Sequence, residues 1–84
     1  MSAIEATGRA VMVAHERRAE DAYEAMYSAR PVAVKDLYEE ALQQLRLAIA
    51  AATANGFSDD ARRLDRRLAH IEAVYESQFR HVGR

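Results

Sequence analysis

Apolar side chains recur every three to four residues through most of this chain, which is the period of an amphipathic helix. The clearest run lies between positions 34 and 52, where charged and amide side chains cover the opposite side. Its apolar positions are Val34, Leu37, Tyr38, Ala41, Leu42, Leu45, Ala48, Ile49 and Ala52. A half-buried strand would alternate at every second residue, so the pattern predicts a helix and excludes a strand.

Two further helical runs flank this one. The predicted core face of the first run is formed by Ile4, Gly8, Val11, His15, Ala19, Ala22 and Met26, with Met12 and Tyr23 beside it. The core face of the third run is formed by Ala61, Leu64, Leu68, Ile71, Tyr75, Gln78 and Val82. The third set has heptad spacing, which is typical of helices that pack as in a coiled coil.

The two interruptions between the runs have the sequence features of helix ends. Pro31 disfavours a helical Arg30 but suits the first turn of a new helix. Gly56 can adopt the left-handed conformation, and Phe57 after it can fold back on the last turn as in a Schellman cap. Ser58 is then the predicted N-cap of the third helix. These signals place sharp boundaries at both links.

We therefore predict a single all-α domain over residues 1–84, with helices at about 3–28, 31–54 and 59–81. Because the links are short, neighbouring helices should be antiparallel, giving an up-down-up three-helix bundle. In this arrangement the tyrosines and Phe79 gather at one end of the bundle. Small residues gather at the other end, where the core should be thin because 18 of the 84 residues are Ala.

Charge and composition exclude several classes of function. The net charge of −1 gives no long-range attraction to nucleic acid or to an anionic membrane. The chain contains no cysteine, which fits a reducing cytoplasm, and no segment resembles a leader peptide or a membrane span. We expect a soluble cytoplasmic protein. Eleven Arg against one Lys, together with the many Ala residues, suggest a bacterium with a GC-rich genome.

The sequence shows no catalytic, cofactor or metal motif. The serines, Ser2, Ser28, Ser58 and Ser77, fall at the predicted termini, caps or exposed turns, and the glycines are isolated. The metalloprotease pattern His-Glu-x-x-His would need a second His one turn after His15, but that position is Ala19. We therefore predict a protein without enzymatic activity, cofactor or metal.

His15 leaves one alternative open. The string His15-Glu16-Arg17-Arg18 resembles the phosphoacceptor box of sensor kinases, His-Glu-Leu-Arg-Thr-Pro. It departs from that box at Arg17, Ala19 and Glu20. His15 also falls on the predicted core face, which favours a half-buried ring with one hydrogen-bonded nitrogen. The alternative is a ligand-binding or histidine-phosphotransfer bundle centred on His15 and the tyrosines.

Two surfaces remain as candidates for interaction. Apolar residues outside the predicted core faces indicate a homodimer contact or a groove for another helical protein, and they are Val13, Leu47, Ala50, Ala51 and Ala54. A basic flank suits an acidic partner or, as a further alternative, weak nucleic-acid binding, and it consists of Arg62, Arg63, Arg66 and Arg67. We expect a small helical interaction or scaffold module that associates with itself.

Overall fold

A computed structural model describes residues 3–81. This part of the chain forms three α-helices, α1 (Ala3–Met26), α2 (Pro31–Ala54) and α3 (Ser58–Val74). A π-helical segment, Tyr75–Phe79, continues α3, and we call it the π segment. The core positions predicted at Ile4 and Val82 lie outside the side chains that the structure describes.

The helices form the predicted all-α, up-down-up bundle. α1 and α2 are antiparallel, since His15 in the middle of α1 contacts Gln44 in the middle of α2. α1 and α3 are parallel, since Arg9 contacts Asp60 near the start of both helices and Glu20 contacts Arg67 further along. The result is a rod of 48 × 18 × 13 Å.

The core follows the predicted apolar faces, and Val11 of α1 departs from them. Met12 is only 1% exposed, whereas Val11, which was predicted to lie in the core, is 44% exposed. The buried seam of α1 is instead built on Met12, Ala19 and Met26. These residues are seven positions apart, so they lie along one line of the helix as in a coiled coil. Val11 is thereby turned to the edge of the α1/α2 contact.

The end of α2 has the predicted Schellman geometry. Gly56 has a φ of +72°, a conformation that residues with a Cβ rarely adopt. Phe57 N–H donates to the Ala52 carbonyl at 2.8 Å, and Gly56 N–H donates to the Thr53 carbonyl at 3.2 Å. These two bonds satisfy carbonyls that the helix end would otherwise leave free.

The predicted cap of α3 at Ser58 was wrong. Phe57 occupies the N-cap position without a side-chain cap bond, and its carbonyl accepts from Ala61 N–H at 2.9 Å. Ser58 is therefore the first helical residue. Asp59 and Asp60 lie in the first turn as expected, where their negative charge faces the positive end of the helix.

The π segment changes the register at the end of the third helix. Arg80 N–H donates to the Tyr75 carbonyl at 2.8 Å, a bond from residue i+5 to residue i. A wider turn rotates every later side chain relative to a regular α-helix. The heptad position predicted at Gln78 is accordingly exposed, while Phe79 is half-buried.

Candidate interaction surfaces

The basic flank of α3 is used within the bundle. Arg63 donates to both carboxylate oxygens of Glu16, at 2.5 and 3.0 Å. One turn later, Arg67 donates to both oxygens of Glu20, at 2.8 and 2.6 Å. Two parallel donor bonds to one carboxylate form the strongest geometry available to an ion pair. These two arginines hold α3 against α1.

The ion pairs with α1 raise the pKa values of both Arg63 and Arg67. Hydrogen bonding to Glu16 is the main reason that the pKa of Arg63 is raised, and desolvation opposes it. Hydrogen bonding to Glu20 raises the pKa of Arg67 in the same way. Both guanidinium groups are therefore neutralised locally by α1. A phosphate or an acidic partner would have to displace Glu16 or Glu20 to bind there.

The other two arginines of the predicted flank are exposed. Arg62 pairs with Asp59 one turn before it on the same helix. Leaving aside the side chains that the structure does not describe, no carboxylate lies within ion-pair distance of Arg66. The structure therefore divides the basic flank, with Arg63 and Arg67 facing α1 and Arg62 and Arg66 facing water.

An apolar surface lies along the α1/α2 seam. Val11 lies one turn before His15 in α1, and Leu47 lies about one turn after Gln44 in α2, so both flank the seam at the same level. They are 44% and 38% exposed. Half-buried Ala14 and Ala51 lie beside them. We call these four residues the α1/α2 face.

Not all of the predicted contact residues belong to this face. Val13 is 48% exposed but lies about 200° around α1 from His15, on the side that meets α3. There it lines a shallow depression with charged neighbours from α1, which are Glu16, Arg17, Glu20 and Asp21. Ala50 and Ala54 are exposed, and Ala54 lies two turns after Leu47 on the same side of α2. Val11 was predicted to lie in the core and Val13 on the contact surface, and the packing of α1 against α2 places Val11 on this face.

His15 is half-buried in the seam and has a defined partner. Its Nδ1 lies 2.7 Å from Gln44 Oε1, and Gln44 Nε2 donates to Glu40 at 2.9 Å. Because Gln44 Oε1 can only accept, Nδ1 of His15 must carry the proton and donate. The ring is thus oriented by an amide, as expected of a structural histidine. No carboxylate contacts the ring among the described residues.

Aromatic rings pack together at the end of the bundle where α1 ends and α2 begins, as predicted. Tyr27 contacts both Tyr23 and Phe79 edge to face, with ring centroids 5.6 and 5.0 Å apart. Tyr38 of α2 stacks on Tyr75, with centroids 3.8 Å apart. Burial is the main reason that the pKa of Tyr38 is raised, and the charge of Glu72 adds to this effect.

A groove opens beside these rings, between the start of α2 and the π segment. Its volume is about 360 Å³. The side chains around it are Val32, Val34, Lys35, Tyr75, Phe79 and Arg80. Arg80 was not predicted at this groove, because the sequence pattern indicated an α-helical continuation of α3. Lys35 falls on the polar side of α2 in that pattern, where an exposed lysine is ordinary. No sequence signal that we used distinguishes a π turn from an α turn.

Comparisons with known proteins found no matching family model, no matching curated protein and no matching solved structure. In the described part of the chain, whose side chains exclude those of residues 4 and 5, no three His, Asp or Glu residues form a group that could hold a metal ion. Across the same residues, no helix combines the length and the apolar character needed to cross a membrane.

Proposed function

We propose that this protein is a small, non-enzymatic interaction module that pairs with a second copy of itself through the α1/α2 face. The observation that supports this most is the position of Val11 and Leu47. Both remain well exposed at the same level of one seam, on the side away from α3. Apolar side chains that gather on one exposed patch are typical of a protein contact.

The surroundings of this face favour an apolar partner. α1 carries no charged residue between Arg9 and His15, and the chain carries none between Arg46 and Asp59. Two helices therefore present about two turns of uncharged surface side by side. Burial of such a surface is favourable because no ion has to be desolvated.

A second copy fits this surface better than a charged partner. The net charge of −1 means that two identical chains repel each other little. A standard interface buries about 800 Å² on each partner, and one side of a rod of 48 × 18 Å is large enough to supply such an area.

Sedimentation equilibrium tests the proposal. The wild-type protein should show a mass well above the 9.4 kDa of one chain, and Leu47→Glu should return it to that mass. A carboxylate at this position would be buried without a partner in the dimer but would remain solvated in the monomer. Because Leu47 is partly exposed, the variant should keep its fold, which circular dichroism can verify.

Val13→Glu is the matched control, since it introduces the same charge at an exposed residue on the α3 side of α1. It should leave the dimer intact. A monomeric wild-type protein would overturn the proposal. So would a folded Leu47→Glu variant whose mass equals that of the wild type.

A further inference from the structure

The groove between α2 and the π segment combines an apolar floor with positive charge. Val34 is buried at its base, and the rings of Tyr75 and Phe79 form one wall. Lys35 and Arg80 line the same space. Its volume of about 360 Å³ lies at the lower end of the range for small-molecule sites, roughly 300 to 1000 Å³.

The π segment is what brings Arg80 to this groove. In a regular α-helix, residue i+4 returns to the side of residue i, and residue i+5 points well away from it. The bond from Arg80 N–H to the Tyr75 carbonyl spans five residues, so the wider turn carries Arg80 back toward the side of Tyr75. π turns of this kind occur frequently at functional sites.

The charges in the groove are available to a ligand. Among the side chains that the structure describes, no carboxylate lies within ion-pair distance of Lys35. Arg80 donates to Glu76 at 3.0 Å, but both side chains are largely exposed, and a pair of this kind contributes little stability. A ligand carboxylate can therefore replace Glu76 at Arg80 while its apolar part covers Tyr75 and Phe79.

We infer that this groove binds a small amphipathic carboxylate, with the acid group between Lys35 and Arg80 and the apolar body against the two rings. The volume suits a molecule with about a dozen non-hydrogen atoms. Pairing with cations selects for the negative charge, and the aromatic wall selects for an aryl or alkyl body. The site is separate from the α1/α2 face, so it does not depend on the proposed dimer.

Titration of the 15N-labelled protein with 4-phenylbutyrate tests this inference. Saturable shifts should appear at Lys35, Tyr75, Phe79 and Arg80, with a dissociation constant below about 10 mM. The neutral amide of the same compound and inorganic phosphate should each bind more weakly. The amide lacks the charge, and phosphate lacks the apolar body.

Two variants should move the affinity in opposite directions. Lys35→Gln should raise the dissociation constant by about fivefold, because one cation is lost. Glu76→Gln should lower it, because Arg80 is then released from its competing carboxylate. Arg62→Gln, which removes an exposed cation of α3 outside the groove, should leave it unchanged.

Several results would overturn the inference. They are equal binding of acid and amide, shifts that fall outside the groove, an unchanged affinity in Lys35→Gln, and the absence of saturation at about 10 mM. Because all three variants alter exposed side chains, each should remain folded and give an interpretable titration.

Discussion

At the scale of single residues, Gly8 marks the point where α1 passes the end of α2. A Cβ at this position would overlap the side-chain amide of Asn55. That amide is held in place, since Asn55 Nδ2 donates to the Ala51 carbonyl at 2.7 Å. Glycine therefore makes room for a polar cap of α2, at the expense of its own weak helix propensity.

This contact predicts that mutations at the two positions are not additive. In an Asn55→Ala background, Gly8→Ala should stabilise the protein by up to about 1 kcal/mol, because Ala is the better helix former. With Asn55 present, the same substitution must displace the amide and should gain less or destabilise. Urea unfolding of the four proteins measures this coupling. Equal effects of Gly8→Ala in both backgrounds would show that the Asn55 side chain moves away from a Cβ at position 8 without a cost in stability.

At the scale of helices, α1 and α3 are joined by long ionic side chains in the middle and by aromatic rings at one end. The pair of Arg67 with Glu20 is bidentate, half-exposed, and lies beside the Tyr23 ring, 5.1 Å from the Arg67 guanidinium carbon. The pair of Arg62 with Asp59 is almost fully exposed and lies within one helix. The two pairs thus differ in geometry and in burial.

Double-mutant cycles should separate the two pairs. Arg67→Gln with Glu20→Gln should give a coupling of about 0.5 to 1 kcal/mol, and the coupling should decrease in high salt. Arg62→Gln with Asp59→Asn is the matched control and should give no measurable coupling. If both cycles gave the same value, the bidentate geometry would contribute nothing to the α1/α3 contact.

The helices also show which features the sequence could predict. The apolar periods, Pro31 and Gly56 predicted three helices and the two links, because each depends on local chemistry along a few residues. Val11 was wrongly predicted to lie in the core beside Met12, since both are apolar and only packing against two partners buries Met12 and leaves Val11 exposed. The groove was missed for a similar reason, because the π segment changes the direction of Arg80 without changing the composition of the helix.

At the scale of the whole molecule, the ionisation of tyrosines makes the free energy of unfolding depend on pH in the alkaline range. The pKa of Tyr38 is raised above 10.0, chiefly by burial, and the pKa of Tyr23 is raised in the same direction by burial and by its bond to Tyr27. As the pH rises above 10.0, these tyrosines lose their protons in the unfolded chain before they do so in the bundle. Stability should be complete below that pH and should fall above it.

Tyr38→Phe tests this linkage while keeping a ring against Tyr75. Relative to its own stability at pH 8, the variant should lose less stability than the wild type on going to about pH 11. Chemical unfolding at a series of pH values measures both slopes. Identical slopes would show that Tyr38 does not contribute to alkaline unfolding.

The parallel course of α1 and α3 places residues 3 and 81 at opposite ends of a rod 48 Å long. A pulling force applied between them would act along the helix axes. It would load the interhelical contacts in shear and all at once, instead of peeling one helix away from the others. The described segment would therefore resist extension along its long axis through all of its interhelical contacts together.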